Sequence, residues 1–292
     1  MFAATVLLLT ALSQLAVAGD KLYMWQVESE TATVTLVGSI HVGQADFFPL
    51  AAPFEEAFAA APVLAVEVDM TDQNVLLESS QIMMKRGMLP GDETLETRLD
   101  PKVYARLVAH AEEVGSPLAM YMKFKPGIVA MIMVMEEYQR QGLDPELGID
   151  KHFLDAAKAA DKEVRALEKV SDQLDIFLDM DDSLDDIMMA EFLDQVDDIQ
   201  STTDEMIALW RTGDADGMDE FMQSQMGEGP EMEEFYRKLI TDRNIAMTKK
   251  IEAWLGEDQD VFVVVGAAHY SGGTGIVSLL EAKGWSVKQI EK

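Results

Sequence analysis

The sequence predicts an α/β protein: a central mixed β-sheet flanked by helices, with a large helical segment in the middle of the chain. Three observations predict it. Two apolar, β-branched runs, Thr33-Val34-Thr35-Leu36-Val37 and Val261-Phe262-Val263-Val264-Val265, lie near opposite ends and read as buried strands. A third run, Val63-Leu64-Ala65-Val66-Glu67-Val68-Asp69, follows the first after a helix-length stretch, so that strand, crossover helix and strand form a parallel βαβ unit. Between about Asp72 and Leu255 the apolar spacing is almost wholly helical.

Each element has its own signal. Residues 1–18 carry no charged side chain, Thr5 to Leu12 is an apolar core, and Ala16-Val17-Ala18 is a small-x-small pattern. This reads as a secretory signal peptide cleaved after Ala18, and it places the mature chain in the periplasm or outside the cell. It departs from the usual pattern in having no Lys or Arg after Met1, and it is short for a membrane-spanning helix. Leu22 to Val27 and Ala32 to Val37 form a hairpin. A helix runs from about Ala52 to Ala60, with Pro53 in its first turn. Asp100-Pro101 caps and starts another helix. Pro126 to Arg140 is rich in Met, Ile and Val and reads as a helix buried on more than one side. Gly148-Ile149-Asp150 opens a helix to about Ala160, and Glu163 to Glu168 is a short strand. Asp179 to Asp198 is very acidic, yet Leu184, Ile187, Met188, Phe192 and Val196 recur at helical spacing, which predicts an amphipathic helix with a solvated acidic face. It lacks the glycine of a calcium loop. Thr241 to Leu255 is a helix. Ser271-Gly272-Gly273-Thr274-Gly275 leads into a helix over Ile276 to Lys283, Gly284 stops it, and Trp285 to Ile290 is the last strand. The glycine loop lacks the Gly-Lys-Ser/Thr ending that cradles phosphate. No linker divides the chain, so residues 19–292 are expected to form a single domain with a helical insertion over about 72–255.

Composition excludes several functions. Of the 292 residues 53 are acidic and 23 basic, a formal charge of -30. Such a surface repels nucleic acid and anionic membranes. There is no cysteine, hence no disulfide, thiol nucleophile or cysteine-held metal. The methionines read as core filler rather than copper ligands.

Chemistry is concentrated at the strand ends. Gly38-Ser39-Ile40-His41 and Gly266-Ala267-Ala268-His269 each end an apolar strand, and they hold two of the chain's four histidines. The Gly is expected to let the chain turn tightly on leaving the sheet. Ligands of open α/β sheets gather at these carboxyl ends. Glu67 interrupts a third apolar strand, and an ionised carboxylate buried there needs a metal, a histidine or an arginine as partner. Two imidazoles and one carboxylate also form a familiar ligand set for a catalytic divalent ion. His110 is expected to be exposed on a helix, and His152 is a weaker candidate for the same site. Arg243 is a surface arginine, a partner for Asp150, or a fork for an acidic group or a developing oxyanion.

These motifs resemble the TraB/GumN family, which includes the Tiki proteases. The similarity is carried by Leu36-Val37-Gly38-Ser39-Ile40-His41-Val42-Gly43 with Asp46-Phe47-Phe48-Pro49-Leu50, by Val66-Glu67-Val68-Asp69, and by Gly142-Leu143-Asp144-Pro145 to Gly148-Ile149-Asp150. Asp242-Arg243-Asn244 and Val265-Gly266-Ala267-Ala268-His269 complete it, over about residues 22–290. The resemblance implies a fold like that of the erythromycin-esterase and ChaN-like proteins, and hydrolysis of peptide, ester or amide bonds with a divalent metal (manganese, cobalt or zinc). It implies His41, Glu67 and His269 as metal ligands, with Arg243 and Asp150 as further polar members of the catalytic site. Asp69 or Asp150 would orient a histidine from outside the ligand set. Two alternatives keep the fold. One is a metal-free hydrolase in which His41 and Glu67 act as general base. The other is a protein that binds a peptide or haem without catalysis.

Overall fold

The computed structural model describes residues 21–292 except 181, 226 and 228. The expected signal peptide lies outside the described residues. Six strands form one mixed sheet: β1 (Lys21–Glu28), β2 (Thr33–Ser39), β3 (Val63–Val66), β4 (Glu163–Ala166), β5 (Val261–Gly266) and β6 (Val287–Glu291), in the order β4-β3-β5-β2-β1-β6. β4, β3, β5 and β2 run parallel. β1 pairs antiparallel with β2 and β6, so the hairpin and the last strand close one side. Every residue of β3 and β5 is buried, as befits parallel strands covered on both faces.

The helix Ala52–Ala60 is the crossover between β2 and β3, with Pro53 in its first turn. It turns Phe54 and Phe58 onto the sheet, and Phe58 meets Phe262 of β5 edge to face at 5.6 Å. Asp100 accepts from the Lys102 N–H and so caps the helix Pro101–Val114. The helix Pro126–Arg140 buries Ile128 and Met133 along with Val129 and Ala130, on more than one side as its composition predicts. The middle of the chain is not purely helical, because β4 pairs with β3 at the sheet edge. A second apolar cluster, with Leu95, Leu107, Val129, Met133, Met189 and Phe192, fills the space between the middle helices. No described helix is long and apolar enough to cross a membrane.

Two expectations need correction. In the helix Asp182–Gln195 the buried side runs through Leu184, Asp185, Met189, Phe192 and Leu193, while Ile187 and Met188 are only half-buried. Asp185 faces inward because Arg98 bonds it from the short helix Leu95–Arg98 at 2.8 Å, and a paired carboxylate tolerates burial that a lone one does not. The strand carrying Glu67 ends earlier than its apolar run. β3 stops at Val66, and Glu67 begins the departure from the sheet.

Candidate active site

Strand register brings the motifs together. Ser39 of β2 aligns with Gly266 of β5, and Val66 of β3 aligns with Val264 of the same strand. The parallel strands β2, β5 and β3 therefore release His41, His269 and Glu67 at one edge. The two glycines do not serve as turns. Gly38 lies within β2, where a Cβ would come within 2.3 Å of the Tyr23 ring. A Cβ on Gly266 would meet His41 Nε2 at 3.1 Å, Glu67 Oε1 at 3.4 Å and His269 Cδ2 at 3.5 Å. Gly266 thus keeps open the point on which the three side chains converge.

His269 is buried, and its tautomer follows from its surroundings. Asn244 Nδ2 donates to the Thr274 carbonyl at 2.8 Å, so its Oδ1 faces His269 Nδ1 at 2.6 Å. The Nδ1 atom must carry the hydrogen, which leaves Nε2 as a bare lone pair. Nε2 lies 3.8 Å from Glu67 Oε1. Burial, which opposes charge, and the Arg243 guanidinium bring the imidazole down to about 4 against the pull of Glu67, so His269 is neutral at physiological pH. The glycine loop thus supplies the carbonyl that orients Asn244.

His41 is the exposed member, with 57% of its side chain accessible. Its Nδ1 faces Asp150 Oδ1 at 3.1 Å, and its Nε2 faces Glu67 Oε1 at 3.8 Å. Asp150 is itself held by Ser39, whose hydroxyl donates to Oδ1 at 2.7 Å and accepts from the Asp150 N–H at 3.1 Å. Desolvation opposes charge on His41, but the carboxylates of Asp150 and Glu67 outweigh it and raise the imidazole to about 9. In return His41 and Ser39 draw the Asp150 carboxyl below its ordinary value against desolvation.

Glu67 is clamped on both oxygens. Oε1 accepts the Gly266 N–H at 2.7 Å. Oε2 accepts from Gln173 Nε2 at 2.9 Å and Arg243 Nη2 at 2.5 Å. Burial pushes this carboxyl up; the His269 and His41 rings, the Arg243 guanidinium and the Gly266 N–H together bring it down to about 2. Arg243 also binds Glu168 through Nε and Nη2, and its Nη1 donates to the Leu239 carbonyl. With Nε, Nη1 and Nη2 each donating, Arg243 is a clamp on two acids, neither a surface residue nor a partner of Asp150. The parallel pairing of Val66 with Ala166 explains why Glu67 and Glu168 stand side by side.

The donors fit a divalent cation in kind. They are two imidazole nitrogens and a carboxylate oxygen, and each is oriented from outside by a hydrogen-bonding partner. Their spacing is slightly wide. Bonds of about 2.1 Å in tetrahedral geometry put donors about 3.4 Å apart, against the observed 3.8 Å from Glu67 Oε1 to each Nε2. Among the described residues no three His, Cys, Asp or Glu side chains stand ready to hold an ion without adjustment. Loading would require each Nε2 to draw about 0.4 Å closer to Glu67 Oε1 and His41 to lose its Nε2 proton.

The structure places the remaining candidates elsewhere. Asp69 accepts from Thr71 and does not reach a histidine. His152 pairs with Glu55 at 2.9 Å and packs on Phe48. His110 is half-buried rather than exposed, edge-on to Phe192. Ser39, Glu168, Gln173 and Asn244 belong to the cluster, although the sequence assigned them no role. One signal for Glu168 was available, since two short strand candidates both run out in a glutamate.

Comparison with known proteins agrees with the motif pattern. The model of the TraB/PrgY/gumN family matches residues 23–289. The chain is 26% identical to Uncharacterized protein YbaP of Escherichia coli over 81% of this chain and 83% of that one. It is 22% identical to Metalloprotease TIKI1 of Danio rerio over 91% of this chain and 62% of the relative, and 21% identical to Metalloprotease TIKI homolog of Nematostella vectensis over 92% and 67%. No solved structure matches the chain significantly.

Proposed function

The chain belongs to the TraB/PrgY/gumN family, and from that premise we propose that it is a metal-dependent hydrolase acting on peptide bonds. The observation that carries the proposal is the convergence of His41 Nε2 and His269 Nε2 on one oxygen of ionised Glu67. The likeness to relatives named metalloproteases supports it. His41, His269 and Glu67 would hold the ion. When bound, a divalent ion supplies an acidified water and polarises the scissile carbonyl. Asn244 keeps the His269 lone pair aimed inward, and Asp150 does the same for His41 once its Nε2 proton is gone. Arg243 and Gln173 fix Glu67 and keep it ionised. The identity of the ion is left to metal analysis of the purified protein. In the test, His41→Ala and His269→Ala each lose bound metal and peptide hydrolysis while keeping the wild-type circular dichroism. Full metal retention in both variants would sink the reading.

One observation favours a metal-free alternative. The His41 and His269 environments push their titrations apart, to about 9 and about 4. Such a split separates an acid from a base. Here His269 is the base and protonated His41 the acid, whereas in the version with His41 and Glu67 as general base His41 first gives up its proton. Hydrolysis that survives exhaustive chelation selects this version; loss on chelation and recovery on adding back a divalent ion selects the metal.

A further inference from the structure

An apolar groove lies beside the histidine cluster, in the helical middle of the chain. Its volume is about 510 Å³, within the roughly 300–1,000 Å³ that bound ligands commonly occupy. Its walls come from the helices Pro126–Arg140, Val170–Leu178, Asp182–Gln195, Ile199–Thr212, Ala215–Ser224 and Pro230–Tyr236. Met131, Met135, Met206, Met222, Phe177 and Phe235 are among its lining. Methionine surfaces repack around differently shaped apolar partners.

The groove adjoins the site along two helices. Phe177 stands one turn beyond Gln173, about 6 Å along the axis, and Gln173 bonds Glu67. Its ring meets Phe235 at 5.8 Å, and one turn past Phe235 is Leu239, whose carbonyl holds Arg243. Charge then narrows the occupant. From Asp179 to Tyr236, a stretch that contributes four of the six helices, there are nineteen acidic residues and a single basic one, Arg211. Glu191 lines the groove, and Glu231, Glu233 and Glu234 are exposed on the last helix. A fatty acid or anionic lipid meets like charge here, and a second copy of this chain brings another -30.

We propose that this groove binds an apolar peptide segment flanked by lysines or arginines, and that it selects such segments as substrates for the adjoining cluster. The substrate part rests on the hydrolase reading above; the binding part does not. Apolar side chains fill the groove and the cationic flanks meet its acidic surround, the arrangement by which methionine-lined grooves take basic amphipathic segments.

The probe is a fluorescein-labelled peptide with a run of Leu and Phe between two Lys-rich flanks. One twin has every Lys replaced by Glu, and another has every Leu and Phe replaced by Ser. Binding is read by fluorescence anisotropy on full-length His269→Ala protein, so that cleavage cannot consume the probe. The Lys peptide should bind, and each twin should bind at least about tenfold more weakly. Binding should also weaken at about 0.5 M sodium chloride. Met206→Lys, and separately the exposed pair Glu231→Lys with Glu233→Lys, should each raise the dissociation constant about tenfold. The exposed pair leaves the core untouched, so it reports even where Met206→Lys fails to fold. No binding of the Lys peptide, equal binding of the Glu twin, or undiminished binding by the exposed pair overturns the proposal. Binding without hydrolysis by the wild-type chain removes the hydrolase reading and leaves the groove. Hydrolysis with a kcat/KM indifferent to Lys and Glu content removes the groove and leaves the hydrolase.

Discussion

Gly266 occupies a position where one methyl group would touch His41, Glu67 and His269. Its φ of -51° and ψ of 139° suit alanine, so Gly266→Ala should fold. It should lower hydrolysis, by up to the roughly 10²-fold that a misplacement of about 1 Å costs a positioned cluster. Steady-state rates set beside a thermal melt check this, and unchanged rates would deny the convergence its role. The same residues should contribute to acid stability. The Glu67 carboxyl is lowered from 4.5 to about 2, so its contribution is present above pH 4.5 and lost as pH falls through 2. His269, lowered from 6.5 to about 4, adds a contribution present above pH 6.5 and lost as pH falls through 4. His41, raised from 6.5 to about 9, works in the opposite sense and is lost as pH rises through 9, with a smaller effect because the ring is exposed. Urea denaturation from pH 7 to pH 2.5 should show the acid loss, and Glu67→Gln should flatten the part below pH 4.5. His41, Glu67 and His269 were legible because each follows an apolar strand. Gln173 and Asn244 were not, since they reach the cluster across 106 and 25 residues and no periodicity records such a contact.

Elements were legible where one face alone decides them. The helices over Ala52–Ala60 and Pro126–Arg140 end where their prolines, alanines and polar flanks predict. The stripe predicted for the acidic helix Asp182–Gln195 holds at Leu184, Phe192 and Val196 but misses Asp185, because hydrophobic spacing cannot anticipate that Arg98 pairs with it from another helix. That pair should matter to packing between elements. Arg98→Met leaves a buried carboxylate without this partner and should cost about 2 kcal/mol in urea denaturation. Adding Asp185→Leu should recover most of the loss, and a double variant as weak as the single would contradict this account.

At the scale of the whole molecule, charge and address belong together. A chain at -30 stays dispersed by self-repulsion, and we infer from the uncharged, apolar residues 1–18 that it is delivered outside the cytoplasm. N-terminal sequencing of exported protein should begin at Gly19; an intact Met1 on cytoplasmic protein would refute the delivery. The strand order carries a consequence for synthesis. β5 lies between β2 and β3, and it joins Val34 to Val261 across 227 residues of chain. Until the ribosome has released that late segment, the early strands lack their shared neighbour and His41 and Glu67 have no His269 beside them. Closing so long a loop makes folding slow. The nascent polypeptide therefore passes most of its emergence without a finished sheet or an assembled cluster, the unfolded form that the delivery inferred above requires.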